Sequence, residues 1–442
     1  MNIQLSEHFT YRKLLSFTFP SVVMLVFTSV YGVVDGFFVS NFVGKTSFTA
    51  VNFIMPFLMI LGSVGFMFGT GGGALIAKTL GEGKEKKARD LFSMIVYVSF
   101  ACGVFLAVFG ILFVRPIASL LGAKGQLLED CVTYGRIILA ALPAYVLQYE
   151  FQCLFATAGK PSLGLYVTVA AGVTNMVLDA LFVAVFRWGI PGAAGATAIS
   201  QCVGGVIPLI YFACPNKSLL KIGRTQFLGR ELLKACGNGS SELMSNISMS
   251  IVSMLYNVQL LKYAGEDGVA AYGVLMYVSM IFLAVFIGYS VGTAPVIGYQ
   301  YGAKNHGELK SLRKKSLLLI GIFALIMFAG AYLLASPLSK LFVGYDRELL
   351  ALTIRGFSIF SYCFLFSGFA IFGSSFFTAL NNGLISASIA FLRTLVFQIA
   401  AVLILPLFWG VDGIWLSIVA AEVMAVVVTV FFLKGQREKY GY

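Results

Sequence analysis

The chain has 442 residues, of which 59% are hydrophobic and 11% charged, whereas a soluble domain carries about 25% charged residues. That composition excludes a soluble globular domain and points to an all-α polytopic membrane protein. The net charge of +12 does not indicate a nucleic-acid partner. The bases gather in short connections between apolar runs, where anionic membrane lipids supply the counter-charge.

A helix needs about 20 apolar residues to cross a bilayer. Residues 1–13 lead into an apolar run too long for a signal-peptide core, so this run is expected to be a retained first span. Marking apolar runs against charged or turn-rich breaks predicts twelve spans, near 14–41, 47–77, 91–114, 131–159, 163–186, 191–214, 235–261, 268–303, 316–339, 349–382, 383–410 and 411–433. Pro20, Pro143 and Pro295 are expected kink points. The seven cysteines include no C-x-x-C pair and have no histidine cluster beside them, so no disulfide framework, zinc site or cofactor is expected.

The N-terminal segment, every second connection and the C-terminal segment carry 21 Lys and Arg, against 7 on the opposite connections. By the positive-inside rule both termini are expected in the cytoplasm.

Residues also recur at an offset of half the chain. Trp188-Gly189 falls on Trp409-Gly410, Gly81 on Gly302, Gly44 and Ala50 on Gly265 and Ala271, and Phe155, Thr157 and Ala158 on Phe376, Thr378 and Ala379. A duplicated six-span unit is implied, and because six is even the two copies enter the membrane from the same side. The expectation is therefore two pseudo-symmetric six-helix lobes around a central cavity: 1–215 and 235–442, joined by a cytoplasmic linker at 216–234.

Polar residues inside the spans are unevenly shared between the copies. The first copy has Asp35 and Tyr31 in span one, Gln148, Glu150 and Gln152 in span four, Asn175 and Asp179 in span five, and Thr197 and Gln201 in span six. At the positions equivalent to Asp35 and Asp179 the second copy has Tyr256 and Ala400. A requirement of the fold would be expected in both copies, so the asymmetry marks function. Asn175 and Asp179 lie one helical turn apart and share a face. Asp35, Asp179 and Thr197 all fall in the outer halves of their spans, where they can converge. A pair of carboxylates there can take and release protons. With an amide and a hydroxyl oxygen added, the same four residues can hold Na⁺. In the second copy, Glu242 and Glu422 are candidate anchors for a cationic substrate, with the alternative that they pair with an intramembrane base such as Arg393. Tyr31, Tyr134 and Tyr149 are candidate cavity liners. Gly44-Lys45-Thr46 lacks the leading glycine and the preceding strand of a P-loop.

The two six-span halves, Tyr31-Gly-Val-Val-Asp35, Asn175-x-x-x-Asp179 followed by Gly192-Ala-Ala-Gly-Ala-Thr197, and Gly292-Thr-Ala-Pro295 through Gly302-Ala303 together resemble the multidrug and toxic compound extrusion (MATE) family, in its DinF-type and MepA-type bacterial branches. The resemblance covers essentially the whole chain. It implies a multi-pass protein of the bacterial inner membrane, not an enzyme, that exports amphipathic, often cationic organic compounds by H⁺- or Na⁺-coupled antiport and acts as a monomer. It also implies that Asp35, Asn175, Asp179 and Thr197 form the ion-coupling pocket and that Tyr31, Tyr134, Gln148, Gln152 and Gln201 contact substrate. The acidic site that some relatives carry in the tenth span is missing, since 356–392 contain no carboxylate. The alternative within transport is a flippase for a lipid-linked precursor, which would favour a strongly cationic cavity. An intramembrane enzyme would need a catalytic constellation, and both His8 and His306 lie outside the spans.

Overall fold

A computed structural model describes residues 4–43, 45–216, 218–344 and 346–442. Gly44, and with it the P-loop-like tripeptide as a unit, lies outside them. Among the described residues the chain is helical with no strands, as hydrocarbon solvent demands, because a helix satisfies its backbone polar groups within the segment.

The spans are numbered α1 to α12. α1 runs Tyr11–Phe38 and continues as a π-turn, Val39–Val43; α2 combines Lys45–Met67, the π-turn Phe68–Gly72 and Gly73–Gly81; α3 is Glu85–Leu120. α4 is Gly125–Ala140 plus Leu142–Thr157, α5 is Pro161–Asp179 with the π-turn Ala180–Val185, and α6 is Ile190–Ala213. In the second half, the 74-residue run Gly229–Gly302 breaks at Gly265, whose φ of 63° only glycine adopts freely, giving α7 (229–264) and α8 (266–302). α9 is His306–Val343 and α10 joins Arg347–Phe360 to Phe364–Ala379. α11 is Gly383–Phe391, the π-turn Leu392–Val396 and Phe397–Ile404; α12 is Pro406–Gly435. Among the described residues ten helices, counting Gly229–Gly302 as one, are each long and apolar enough to span; the bent α4 pair and the break at Gly265 complete the twelve.

Local chemistry sets the boundaries. Thr10 caps α1 by accepting from the Lys13 amide, Asn305 caps α9 through the Glu308 amide, and Asp346 accepts from the Glu348 and Leu349 amides. Of the three expected proline kinks, the one at Pro143 coincides with a 59° bend between the two pieces of α4, while Pro20 and Pro295 lie inside helices that continue through them. The linker ends earlier than its sequence suggests. Helix begins at Gly229 rather than 235, since Arg230, Glu231 and Lys234 form a first turn solvated outside the apolar run. The repeat is visible in the backbone: Gly189 and Gly410, each following a tryptophan, both take positive φ, 65° and 54°.

Large apolar side chains such as Phe105, Leu112, Leu325 and Leu333 are exposed along the outside, the surface that lipid tails cover. The two halves meet along the parts of the spans nearer the termini, from the ends to about mid-span. Gly71 packs on Ala235 and Gly239, Gly239 on the Met67 backbone, Gly288 on Val22, and Gly302 on the Lys78 backbone. A methyl group at Gly239 or Gly302 would collide with those carbonyls, so glycine is what permits the close approach. The N-terminal segment straps across the same end. Leu5 and Phe9 are buried in the core of the second half, and the Phe9 amide and His8 ring bond the Glu308 carboxylate at 2.9 and 2.6 Å. Lys315 closes the strap by donating to the Phe9 carbonyl at 2.6 Å. At the opposite end, Gly32 in α1 and Gly273 in α8 have no neighbour among the described residues in reach of an added methyl.

Candidate functional site

Asp35 stands in the last turns of α1, and Asp179 is the last residue of α5 before its π-turn. Each therefore lies in the half of its span farther from the termini. Asp179 and Asn175 are fully or almost fully buried on one face of α5, and Asp35 is 9% exposed. Thr197, on the second turn of α6, joins them: its hydroxyl lies 3.5 Å from Asp35 Oδ1, and Asn175 Nδ2 lies 3.5 Å from that hydroxyl. Thr197 Oγ1 also donates to the Ala193 carbonyl at 3.2 Å, which fixes its rotamer. The four residues assigned to one pocket from sequence thus come together, 162 residues apart along the chain at the extreme.

The pocket is rich in acceptors. Neither Asp179 oxygen nor Asn175 Oδ1 receives a hydrogen bond from a donor among the described residues. Asp35 and Asp179 face each other, and Tyr134 of α4 lies alongside both and beside Thr197. A buried polar group without a partner costs about 1–3 kcal/mol, more when charged. Two facing carboxylates at this depth need a proton or a small cation between them, and the oxygens of Asp35, Asn175, Asp179 and Thr197 are chemically suited to either.

A polar wall of amides and rings continues from the pocket toward the junction of the halves. Gln148 packs flat on Gly204 of α6, one turn from Gln201. Gln148 Oε1, both amide atoms of Gln152 and Gln201 Oε1 are buried without partners among the described residues. Tyr31 packs on Gly172 of α5 and neighbours Gln148, Tyr149 and Asp35. Tyr149 bonds Tyr145 hydroxyl to hydroxyl at 2.8 Å and stacks on Phe66, centroids 4.2 Å apart. Tyr145 and Phe66 were not singled out from the sequence. Nothing in a local pattern separates them from the many other aromatics; Gly62, which leaves room for the Tyr145 ring, is the one signal that could have found it. Glu150, wholly buried, accepts a hydrogen bond from Ser99 of α3.

The second half is built differently. Arg393, within the π-turn of α11, grips Glu422 of α12 with Nε 2.9 Å from Oε2 and Nη2 2.9 Å from Oε1. Glu422 is therefore paired with an intramembrane base, the alternative that its sequence position left open, and does not present a free carboxylate. Glu242 of α7 makes no side-chain hydrogen bond among the described residues. It lies within electrostatic reach of Arg393 on its own side and of Cys153 of α4 across the junction, so it sits where the halves meet. Tyr256, the counterpart of Asp35, donates to Gln398 at 2.7 Å.

The chain has known relatives. The family model MatE matches it twice, over residues 20–181 and 243–404, one match per half. It is 22% identical over 437 residues to the multidrug export protein MepA of Staphylococcus haemolyticus, covering 98% of this chain and 95% of that protein. A MepA of Staphylococcus aureus is 22% identical over 442 residues, covering 96% and 94%. Among solved structures, a MATE protein in complex with MaL6 superposes with a TM-score of 0.93 at 22% identity, over 98% of each chain. A multidrug resistance MATE family transporter of the MOP superfamily in an outward-facing conformation superposes with a TM-score of 0.92 at 22% identity, over 98% and 97%. Twelve spans in two repeated halves, with a family match in each, place this chain in the MATE family of multidrug efflux membrane transporters.

Proposed function

We propose that the protein is a cation-coupled antiporter of the bacterial cytoplasmic membrane, exporting amphipathic, often cationic organic compounds by alternating access. The observation that carries this reading is the convergence of Asp35, Asn175, Asp179 and Thr197 into one buried pocket whose carboxylates and amide oxygen receive too few hydrogen bonds. H⁺ or Na⁺ bound there supplies the missing partner, and its release as access alternates drives export. Tyr31, Tyr134, Gln148, Gln152 and Gln201 offer aromatic faces and amides to a flat cationic substrate, and Glu242 at the junction offers a negative charge. A lipid-linked precursor would favour a strongly cationic cavity, and Arg393, which lies near Glu242 at the junction, is already neutralised by Glu422. The basic residues crowd the side bearing the termini. With that side cytoplasmic, the packing of the halves around Gly71, Gly239 and Gly302 seals the cytoplasmic face, as an outward-open state requires.

The test is reconstitution of the purified protein in liposomes with ethidium as substrate, imposing a pH gradient and a Na⁺ gradient separately. Uphill movement under one of the two gradients is expected. Movement that responds to neither gradient would refute coupled antiport.

A further inference from the structure

A groove of about 920 Å³ runs between the start of α3 and the linker that joins the two halves, far from the Asp35–Asp179 pocket. Lys84, Lys86, Lys87, Arg89, Lys221 and Arg224 line it, against two acids, Glu85 and Asp90. Three of these cations are engaged: Lys84 bonds Glu82 at 2.8 Å, Lys87 bonds Glu231 at 3.2 Å, and Arg89 Nε donates to the Leu219 carbonyl at 3.1 Å. The other three, Lys86, Lys221 and Arg224, reach no acceptor among the described residues and are exposed to the groove.

The groove is held in shape rather than left to a wandering loop. Ser93, buried on α3, donates to the Arg89 carbonyl at 3.0 Å and accepts from the Gly223 amide at 3.0 Å, with the Lys221 carbonyl 3.4 Å away. Thr225 donates to the Asp90 carbonyl at 2.7 Å and Tyr97 to the Gly223 carbonyl at 3.2 Å. The backbone that carries Lys221 and Arg224 is thus fixed against α3. The N-cap residue of α3, Lys84, makes no side-chain capping bond among the described residues, and Glu85 is the acid in its first turn.

What lies beside the cations decides which anion they suit. Directly along α3 the chain exposes Tyr97, Phe100, Val104 and Phe105, and the linker exposes Leu219 and Phe227, the last at 73%. A soluble phosphate has no use for that apolar track, whereas the acyl chains of a lipid lie along it once the headgroup phosphate is seated among the cations. We propose that this groove is a binding site for the phosphate headgroup of an anionic phospholipid, which ties the inter-half linker to α3. The site is independent of the transport reading.

The experiment uses the full-length protein, delipidated in detergent and titrated with phosphatidylglycerol, phosphatidylcholine or inorganic phosphate. Melting temperature and native mass spectrometry are the two readouts. Phosphatidylglycerol is expected to raise the melting temperature and remain bound, while phosphatidylcholine and inorganic phosphate do neither. The Lys86→Gln, Lys221→Gln, Arg224→Gln variant should fold, elute as the wild type does, and bind phosphatidylglycerol about tenfold more weakly or worse, since each surface cation near an anionic lipid contributes severalfold. The charge-preserving Lys86→Arg, Lys221→Arg, Arg224→Lys variant should bind normally. Lys310→Gln with Lys314→Gln removes charge from a different connection and should leave binding unchanged. An unchanged affinity in the triple variant, an equal loss in that control, or a response to inorganic phosphate without one to the lipid would each overturn the proposal.

Discussion

Arg393 and Glu422 form a bidentate ion pair inside the second half, at a place where the first half has none: counting back by the repeat of 221, their counterparts are Gly172 and Gln201. The duplicated scaffold thus holds two different interiors. The first half instead carries its carboxylates at Asp35 and Asp179, positions where the second half has Tyr256 and Ala400, and neither Asp179 oxygen receives a hydrogen bond among the described residues. In the second, a carboxylate is matched by a guanidinium in the fork geometry that this pair favours.

Breaking that pair from one side should be costly, because it leaves a nearly buried charge uncompensated, about 3–5 kcal/mol by the usual scale. Glu422→Gln and Arg393→Gln are each expected to lower the melting temperature in detergent markedly. Arg393→Met with Glu422→Met should recover most of the loss. A double variant as unstable as the sum of the singles would show that the two residues are not energetically coupled.

Asp35→Asn and Asp179→Asn keep side-chain size and hydrogen bonding but remove the charge that the coupling ion balances. Expression and folding should survive while gradient-driven export collapses. A charge moved through the full membrane potential carries about 2.3 kcal/mol per 100 mV, so the loss removes a substantial driving term. Equilibrium substrate binding should persist. Uphill accumulation at the normal rate by the double variant would place coupling elsewhere.

Tyr145→Leu and Phe66→Leu remove rings from the Phe66–Tyr149–Tyr145 stack. Each ring facing an organic cation contributes about 1 kcal/mol, roughly a fivefold change in affinity. Fluorescence titration with ethidium should show that loss for cationic dyes and a smaller one for neutral compounds of similar size. Equal losses for both would mean that the stack acts by shape alone.

Gly239→Val places a side chain against the Met67 carbonyl, where the halves meet near the termini. The variant should fold, since the contact lies between halves rather than within one, but it should disfavour the state closed at that end. A cysteine introduced near this seam should label faster in the variant than in the wild-type background, and export should slow. Unchanged labelling would mean that the seam does not report on closure.

Much of this was legible in the sequence. Hydropathy is a local property, so twelve runs and a repeat of half the chain length could be read directly, and so could the first-half bias in buried polar residues. The gathering of Asp35, Asn175, Asp179 and Thr197 followed from two features a sequence does show, helical spacing and depth along alternating spans. What the sequence left open depended on contacts between distant segments. Glu422 had equal claims as a substrate anchor and as a partner of Arg393, and the π-turn at Leu392–Val396 that holds Arg393 leaves no mark in composition. Tyr145 and Phe66 were two aromatics among many until α2 and α4 packed together. Gly71 gained its partners, Ala235 and Gly239, only when α2 met α7. The basic groove needed Ser93 and Thr225 to bring a linker some 130 residues away onto α3. One-dimensional patterning fixes which residues are buried in a membrane, because the bilayer sorts them by transfer free energy; which buried groups satisfy one another is set by helix packing, and only the tertiary structure decides it.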